Sequence, residues 1–125
     1  YFDTAMNGKI VKLLDRLESF ITEPASSSLL HGDLWSGNFM CNSRGKAMLI
    51  DPACYCGNRE ADIAMTELFG GFPPVFYDAY NEAFALEEGR EERRDLYNLY
   101  HLLNHLNLFG RAYFSAVCDI VNEYV

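Results

Sequence analysis

The 125-residue sequence contains no apolar run of eighteen residues, so it offers no segment able to cross a membrane as a helix. Positive charge is also scarce. Ten Lys and Arg against eighteen Asp and Glu leave a formal charge of −8, and the basic residues are scattered rather than gathered into a stripe. A nucleic-acid surface, which must follow a line of phosphates, is therefore not expected. The first residues lack the basic, apolar and small-residue order of a secretory signal. The expectation is a soluble, cytoplasmic protein with neither membrane nor nucleic acid as a partner. The four cysteines, Cys41, Cys54, Cys56 and Cys118, form no C-x-x-C pair of the zinc or redox kind and are expected to be free, buried thiols. His101 and His105 have i, i+4 spacing, but Leu102 stands where a zinc-protease helix carries glutamate, so no transition-metal site is expected.

Half of the residues are apolar, enough for one modest core and one domain. Ile10, Leu13, Leu14, Leu17 and Ile21 recur at helical spacing and predict an amphipathic helix over 2–21. The stretch "TEPASSS" ends it, because proline cannot continue a helix and serines favour turns. In "LLHGDLWSGNFMCNSRGKAMLIDPA", Leu29 to Ala53, "NFMCN" and "AMLID" read as two short core strands joined by a tight turn at "SRGK". Helices are expected over 60–69, 73–85, 91–109 and 112–124. The fold class is α+β, mostly helical, around a small β-hairpin.

Four polar residues, His31, Asp33, Asn38 and Asp51, stand at the ends of those strands. Phosphoryl transfer from ATP needs a carboxylate near the acceptor hydroxyl and hard oxygen ligands that hold Mg²⁺ against the phosphates. The order His-x-Asp-x-x-x-x-Asn, a hairpin and then Asp is that of a kinase catalytic loop and its metal-binding aspartate. Asp33 would accept or orient the acceptor proton, Asn38 and Asp51 would supply oxygens to Mg²⁺, and His31 would orient the loop.

"HGDLWSGN" followed by "LIDPACYCGNREADIAMTELFGGFP", together with "LNHLNLFGRAY", resembles the fructosamine kinase (ketosamine 3-kinase) family, relatives of the aminoglycoside and choline phosphotransferases. Across that superfamily the loop is more often H-G-D-x-H-x-x-N; Trp35 and "ELFGGFP" point to the fructosamine kinase branch. The resemblance implies the C-terminal lobe of a protein-kinase-like (aminoglycoside phosphotransferase-like) fold. It further implies ATP-dependent phosphorylation of the sugar O3 hydroxyl of a ketosamine, a fructosamine or ribulosamine on an amine or protein lysine, with ATP and Mg²⁺. Asp33 matches the catalytic base, and Asn38 and Asp51 the metal ligands. Asp62 matches an aspartate that holds the catalytic loop from a following helix; its other reading is a carboxylate favoured at a helix N-terminus. Glu60 is given only that capping role. Trp35 either stacks on a sugar or glycated side chain, or packs the loop.

On the helix over 91–109, Leu96, Leu99, Leu102, Leu103, Leu106 and Phe109 share one face, with Tyr97, Tyr100, His101 and Asn104 opposite. That uncharged second face predicts a helix covered on both sides, by other protein or by an acceptor whose contacts include His101 and Asn104. No G-x-G-x-x-G occurs, and Lys9, Lys12 and Lys46 are the only lysines, none in a V-A-I-K-like strand. Residues 1–125, which begin at Tyr1 rather than methionine, are thus expected to be the catalytic and acceptor-binding lobe without the nucleotide-clamping N-terminal lobe. Alone they would be weak or inactive, with apolar surface open to self-association. The alternatives are a small-molecule kinase for an aminoglycoside, choline or another sugar, and a non-catalytic binding module that keeps the lobe's fold.

Overall fold

The computed structural model describes residues 1–125, which divide into two compact units: 1–23 with 95–125, and 24–94. The chain is mostly helical with two small antiparallel sheets.

In the first unit, α1 (Thr4–Phe20) starts at Asp3, whose side chain accepts the Met6 N–H at 2.8 Å. This satisfies one of the donors a helix start leaves without an intrahelical partner. The helix α5 (Phe114–Glu123) runs alongside α1 in the same direction, since Phe2 stacks on Phe114 at one end and Phe20 meets Tyr124 edge-on at the other. Lys9 Nζ donates to Asn122 Oδ1 at 2.5 Å between them. Val117 and Val121 on α5 are fully buried. On α1 only Leu13 is; Leu14, expected on the apolar face, is 62 % exposed, because the covered stripe of this helix is narrower than its apolar stripe.

The long helix α4 (Arg90–Phe109) begins in the second unit and continues through the first. Leu96, Leu102 and Leu106 are buried, whereas on the uncharged face Tyr100, 72 % exposed, and Asn104 are left uncovered by this chain. The covered arc takes in His101 and half-buried Tyr97 and stops there. Uncharged polarity allowed burial of that face without enforcing it.

The second unit holds β1 (Ser28–Leu30), β2 (Phe39–Cys41), β3 (Ala47–Leu49), β4 (Tyr55–Gly57), α2 (Glu60–Leu68) and α3 (Pro74–Ala83). The expected hairpin is β2–β3, with Phe39 opposite Leu49 and Met40 opposite Met48. Its turn is built chiefly by Asn42, whose Oδ1 accepts the N–H groups of Arg44 and Lys46. These are not core strands. Every residue of β2 and β3 is exposed, Cys41 included. A second sheet, β1–β4, pairs Leu29 with Cys56 and Leu30 with Tyr55 across twenty-odd intervening residues, which no local pattern announces.

The cysteines also depart from expectation. Cys41, Cys54 and Cys56 are exposed and Cys118 partly so, all as free thiols. Two-stranded sheets have too little material to cover both faces. Burial, with Asp119 and Asp3 nearby, raises the Cys118 thiol above its ordinary value.

Helix α2 is the core of this unit, with Ile63, Ala64, Met65 and Thr66 each about 1 % exposed. Its first residue does more than cap. The Glu60 N–H is taken by Asn58, just ahead of the helix, whose Oδ1 accepts it at 3.0 Å. Glu60 itself is buried and takes both Nε and Nη2 of Arg93, at 2.8 and 2.7 Å, while Arg93 Nη1 donates to the Glu88 carbonyl. A buried carboxylate is tolerable only with such a bidentate partner, and that partner lies thirty-three residues away.

Candidate active site

The loop after β1 is nailed down by one side chain. Asp62, in the first turn of α2, accepts the His31 N–H on Oδ2 at 2.7 Å and the Gly32 N–H on Oδ1 at 2.9 Å. A carboxylate accepting two backbone donors fixes the path of both peptides. The loop is also pressed against the segment after β3: the Ala53 N–H donates to the His31 carbonyl at 2.8 Å. That contact requires the glycine. Gly32 has φ +82°, and a Cβ there would stand 2.0 Å from the Ala53 carbonyl oxygen.

The buried ring of His31 joins the two halves of the site. Its Nδ1 accepts the Asp33 N–H at 3.3 Å, so Nε2 carries the ring proton and donates to the Ile50 carbonyl at 2.9 Å. Ile50 in turn donates its N–H to the Asn38 carbonyl at 3.0 Å. Asp51 thus sits between Ile50 and Ala53, both bonded to the loop. It is the one non-glycine residue with positive φ, +52°. Aspartate tolerates this left-handed conformation better than most residues, and such strain concentrates where a side chain must be aimed.

Asn38 ends a 3-10 turn, Ser36–Asn38, and is buried. Its Nδ2 donates to both the carbonyl and Oδ2 of Asp33, each at 2.9 Å. Two consequences follow for the chemistry. With the amide nitrogen committed, Oδ1 is the atom Asn38 has to offer a cation, and with Oδ2 of Asp33 engaged, Oδ1 is the oxygen left for another partner. No three His, Cys, Asp or Glu side chains are grouped to hold a metal. Asn38 and the exposed carboxylate of Asp51 are hard oxygen donors, which suit Mg²⁺ when phosphates and waters complete its shell.

A sequence profile described as "Fructosamine kinase" matches residues 3–125. The chain belongs to the fructosamine kinase family. It is 54 % identical over 98 residues to a Vibrio parahaemolyticus protein named "Probable ketoamine kinase", covering 78 % of this chain and 34 % of that one. It is 43 % identical over 129 residues to the chloroplastic protein-ribulosamine 3-kinase of Arabidopsis thaliana, covering 100 % of this chain and 38 % of the relative. A crystal structure of a "putative fructosamine-3-kinase" from Thermobifida fusca superposes with a TM-score of 0.86 at 39 % identity, over 97 % of this chain and 42 % of that one. The chain therefore spans well under half the length of these family members.

Six of the residues singled out in the sequence, His31, Asp33, Trp35, Asn38, Asp51 and Asp62, lie in the second unit of this family member. All but Trp35 are on, or next to, the hydrogen-bonded network. Trp35, 37 % exposed, flanks it and meets Phe69 edge-on at 6.4 Å. His101 and Asn104 belong to the first unit. Both stand on α4, His101 buried and bonded through its carbonyl to His105 Nδ1, Asn104 exposed. Sequence reasoning passed over Gly32, Gly37 and the Ile50 carbonyl. A glycine beside the histidine was the available signal for the first, whereas a backbone carbonyl leaves none.

Proposed function

We propose that residues 1–125 form the catalytic, acceptor-binding lobe of a kinase that transfers the γ-phosphoryl group of ATP to the sugar O3 hydroxyl of a ketosamine on an amine or protein lysine. The observation that carries this reading is the closed network of His31, Asp33, Asn38, Ile50 and Asp62, which holds a carboxylate with one oxygen uncommitted against Asn38, with Asp51 lying between two residues bonded to the same loop. The names of the relatives, ketoamine kinase and protein-ribulosamine 3-kinase, point to ketosamines rather than aminoglycosides or choline.

In this reading Asp33 is the catalytic residue. Its Oδ1 orients the O3 hydroxyl and takes its proton as the new O–P bond forms and the bond from phosphorus to the leaving diphosphate breaks. Asn38 holds Asp33 in place through Nδ2, so the carboxylate need not reorganise during transfer. Asn38 and Asp51 would hold Mg²⁺, which when bound offsets charge on the phosphates. His31 and Asp62 position the loop. Trp35 offers a flat apolar surface to the acceptor. A reducing, ATP-supplied compartment such as the cytoplasm suits four unpaired thiols.

Asp33→Asn in the protein that carries this chain tests the assignment. Turnover of a ribulosyl-lysine peptide should fall on the order of 10³-fold with unchanged circular dichroism. Turnover within a factor of about two of the parent would remove Asp33 from the chemistry.

A further inference from the structure

Gly37 occupies the middle of the 3-10 turn Ser36–Asn38. Unlike Gly32, it is not among the glycines with positive φ, so its backbone is one that any residue adopts. Something other than backbone conformation must account for a glycine there, since alanine would restrict the unfolded chain and favour the turn. The reason lies in the neighbouring ring. A Cβ built on Gly37 would stand 2.3 Å from Cη2, 2.4 Å from Cζ2 and 2.7 Å from Cζ3 of Trp35. The six-membered ring of the indole therefore rests on the bare α-carbon of Gly37. Phe69, at the C-terminal end of α2, meets the same indole edge-on with the ring planes at 78°. Between them these two residues fix the plane of the tryptophan while more than a third of its surface stays open.

We infer that Gly37 is a positioning residue for acceptor choice: by leaving room for the indole it sets the plane that Trp35 presents to the acceptor. The inference rests on the proposed ketosamine kinase function and adds to it the residue that makes the tryptophan a preformed platform rather than a mobile side chain. A preformed flat surface takes a sugar ring or glycated alkyl chain without the entropic cost of ordering the indole on each encounter. Asn38 follows Gly37 directly, so an effect through the metal side of the site has to be separated from one through the ring.

The test compares Gly37→Ala with the parent in the protein that carries this chain. One readout is fluorine NMR of fluorotryptophan-labelled protein, with the Trp35 signal assigned by its loss in Trp35→Phe. The other is KM for a glycated-lysine peptide and KM for ATP. The expected result is a displaced Trp35 resonance, an acceptor KM raised about tenfold and an ATP KM within about twofold of the parent. In a Trp35→Ala background the same glycine substitution should change neither constant further. An unmoved resonance overturns the inference, as does an unchanged acceptor KM or an equal rise in the Trp35→Ala background. A parent without ketosamine turnover would overturn the functional reading, and the acceptor role with it; a parent that turns over normally beside an indifferent variant overturns the inference alone. Should Gly37→Ala fail to fold, folding of the Gly37→Ala, Trp35→Ala double variant would support the clash as the cause, and its failure to fold would count against it.

Discussion

The loop around Asp33 and the hairpin that follows it are adjacent in the chain and built on opposite physical terms. Between His31 and Asn38 the N–H groups of His31, Gly32, Asp33 and Asn38 and the side chains of His31, Asp33 and Asn38 are all bonded, to Asp62, to Ile50 or to a neighbour within the loop. Across β2 and β3 no side chain is buried, and Met40, Met48 and Leu49 are each about half exposed. The difference shows where precision is needed. The hairpin has only to bring the chain back so that Asp51 arrives beside the loop, a task its own backbone ladder performs. The loop must hold a carboxylate to fractions of an ångström, which takes directional bonds to partners on another element.

Substitutions can break this contrast or sharpen it. Asp62→Ala removes two charge-assisted bonds and orphans the His31 and Gly32 N–H groups, so a loss of about 3 kcal/mol in urea unfolding is expected. Gly32→Ala drives a methyl into the Ala53 carbonyl and should cost about 2 kcal/mol, with turnover falling further than stability accounts for because the loop and the Asp51 segment are pushed apart. Differential scanning calorimetry beside steady-state kinetics would separate the two losses. At the other extreme, Met48→Lys on the hairpin should change the unfolding free energy by less than about 0.5 kcal/mol. A much larger cost there would mean that the hairpin face is covered in solution, and the contrast would fail.

What could be read in advance follows the range of the interactions involved. The spacing of His31, Asp33 and Asn38 is short-range chemistry within one loop, and the strands of the hairpin pair over a five-residue turn; both leave a local signature. The β1–β4 sheet, the bidentate hold of Asp62 and the Glu60–Arg93 pair each join residues some twenty-five to thirty-three apart. Nothing in the immediate neighbourhood of Glu60 separates a carboxylate at a helix N-terminus from one that also forms a buried ion pair, and reading Glu60 as a cap alone fell short for that reason. The hairpin strands were misread as core because apolar composition reports what a segment could bury, whereas burial depends on whether another element arrives to cover it.

By itself, the sequence determined the family, the helical majority, the hairpin and the set of polar residues proposed for phosphoryl transfer, because each depends on residue type at short spacing. Tertiary structure alone decided that Asp62 grips the loop, that His31 ties Asp33 to the strand end before Asp51, that Gly37 makes room for an indole, and that His101 and Asn104 stand on a different unit from that network. Those facts depend on distances between elements, and such distances are set by packing the whole chain rather than by any one stretch of it.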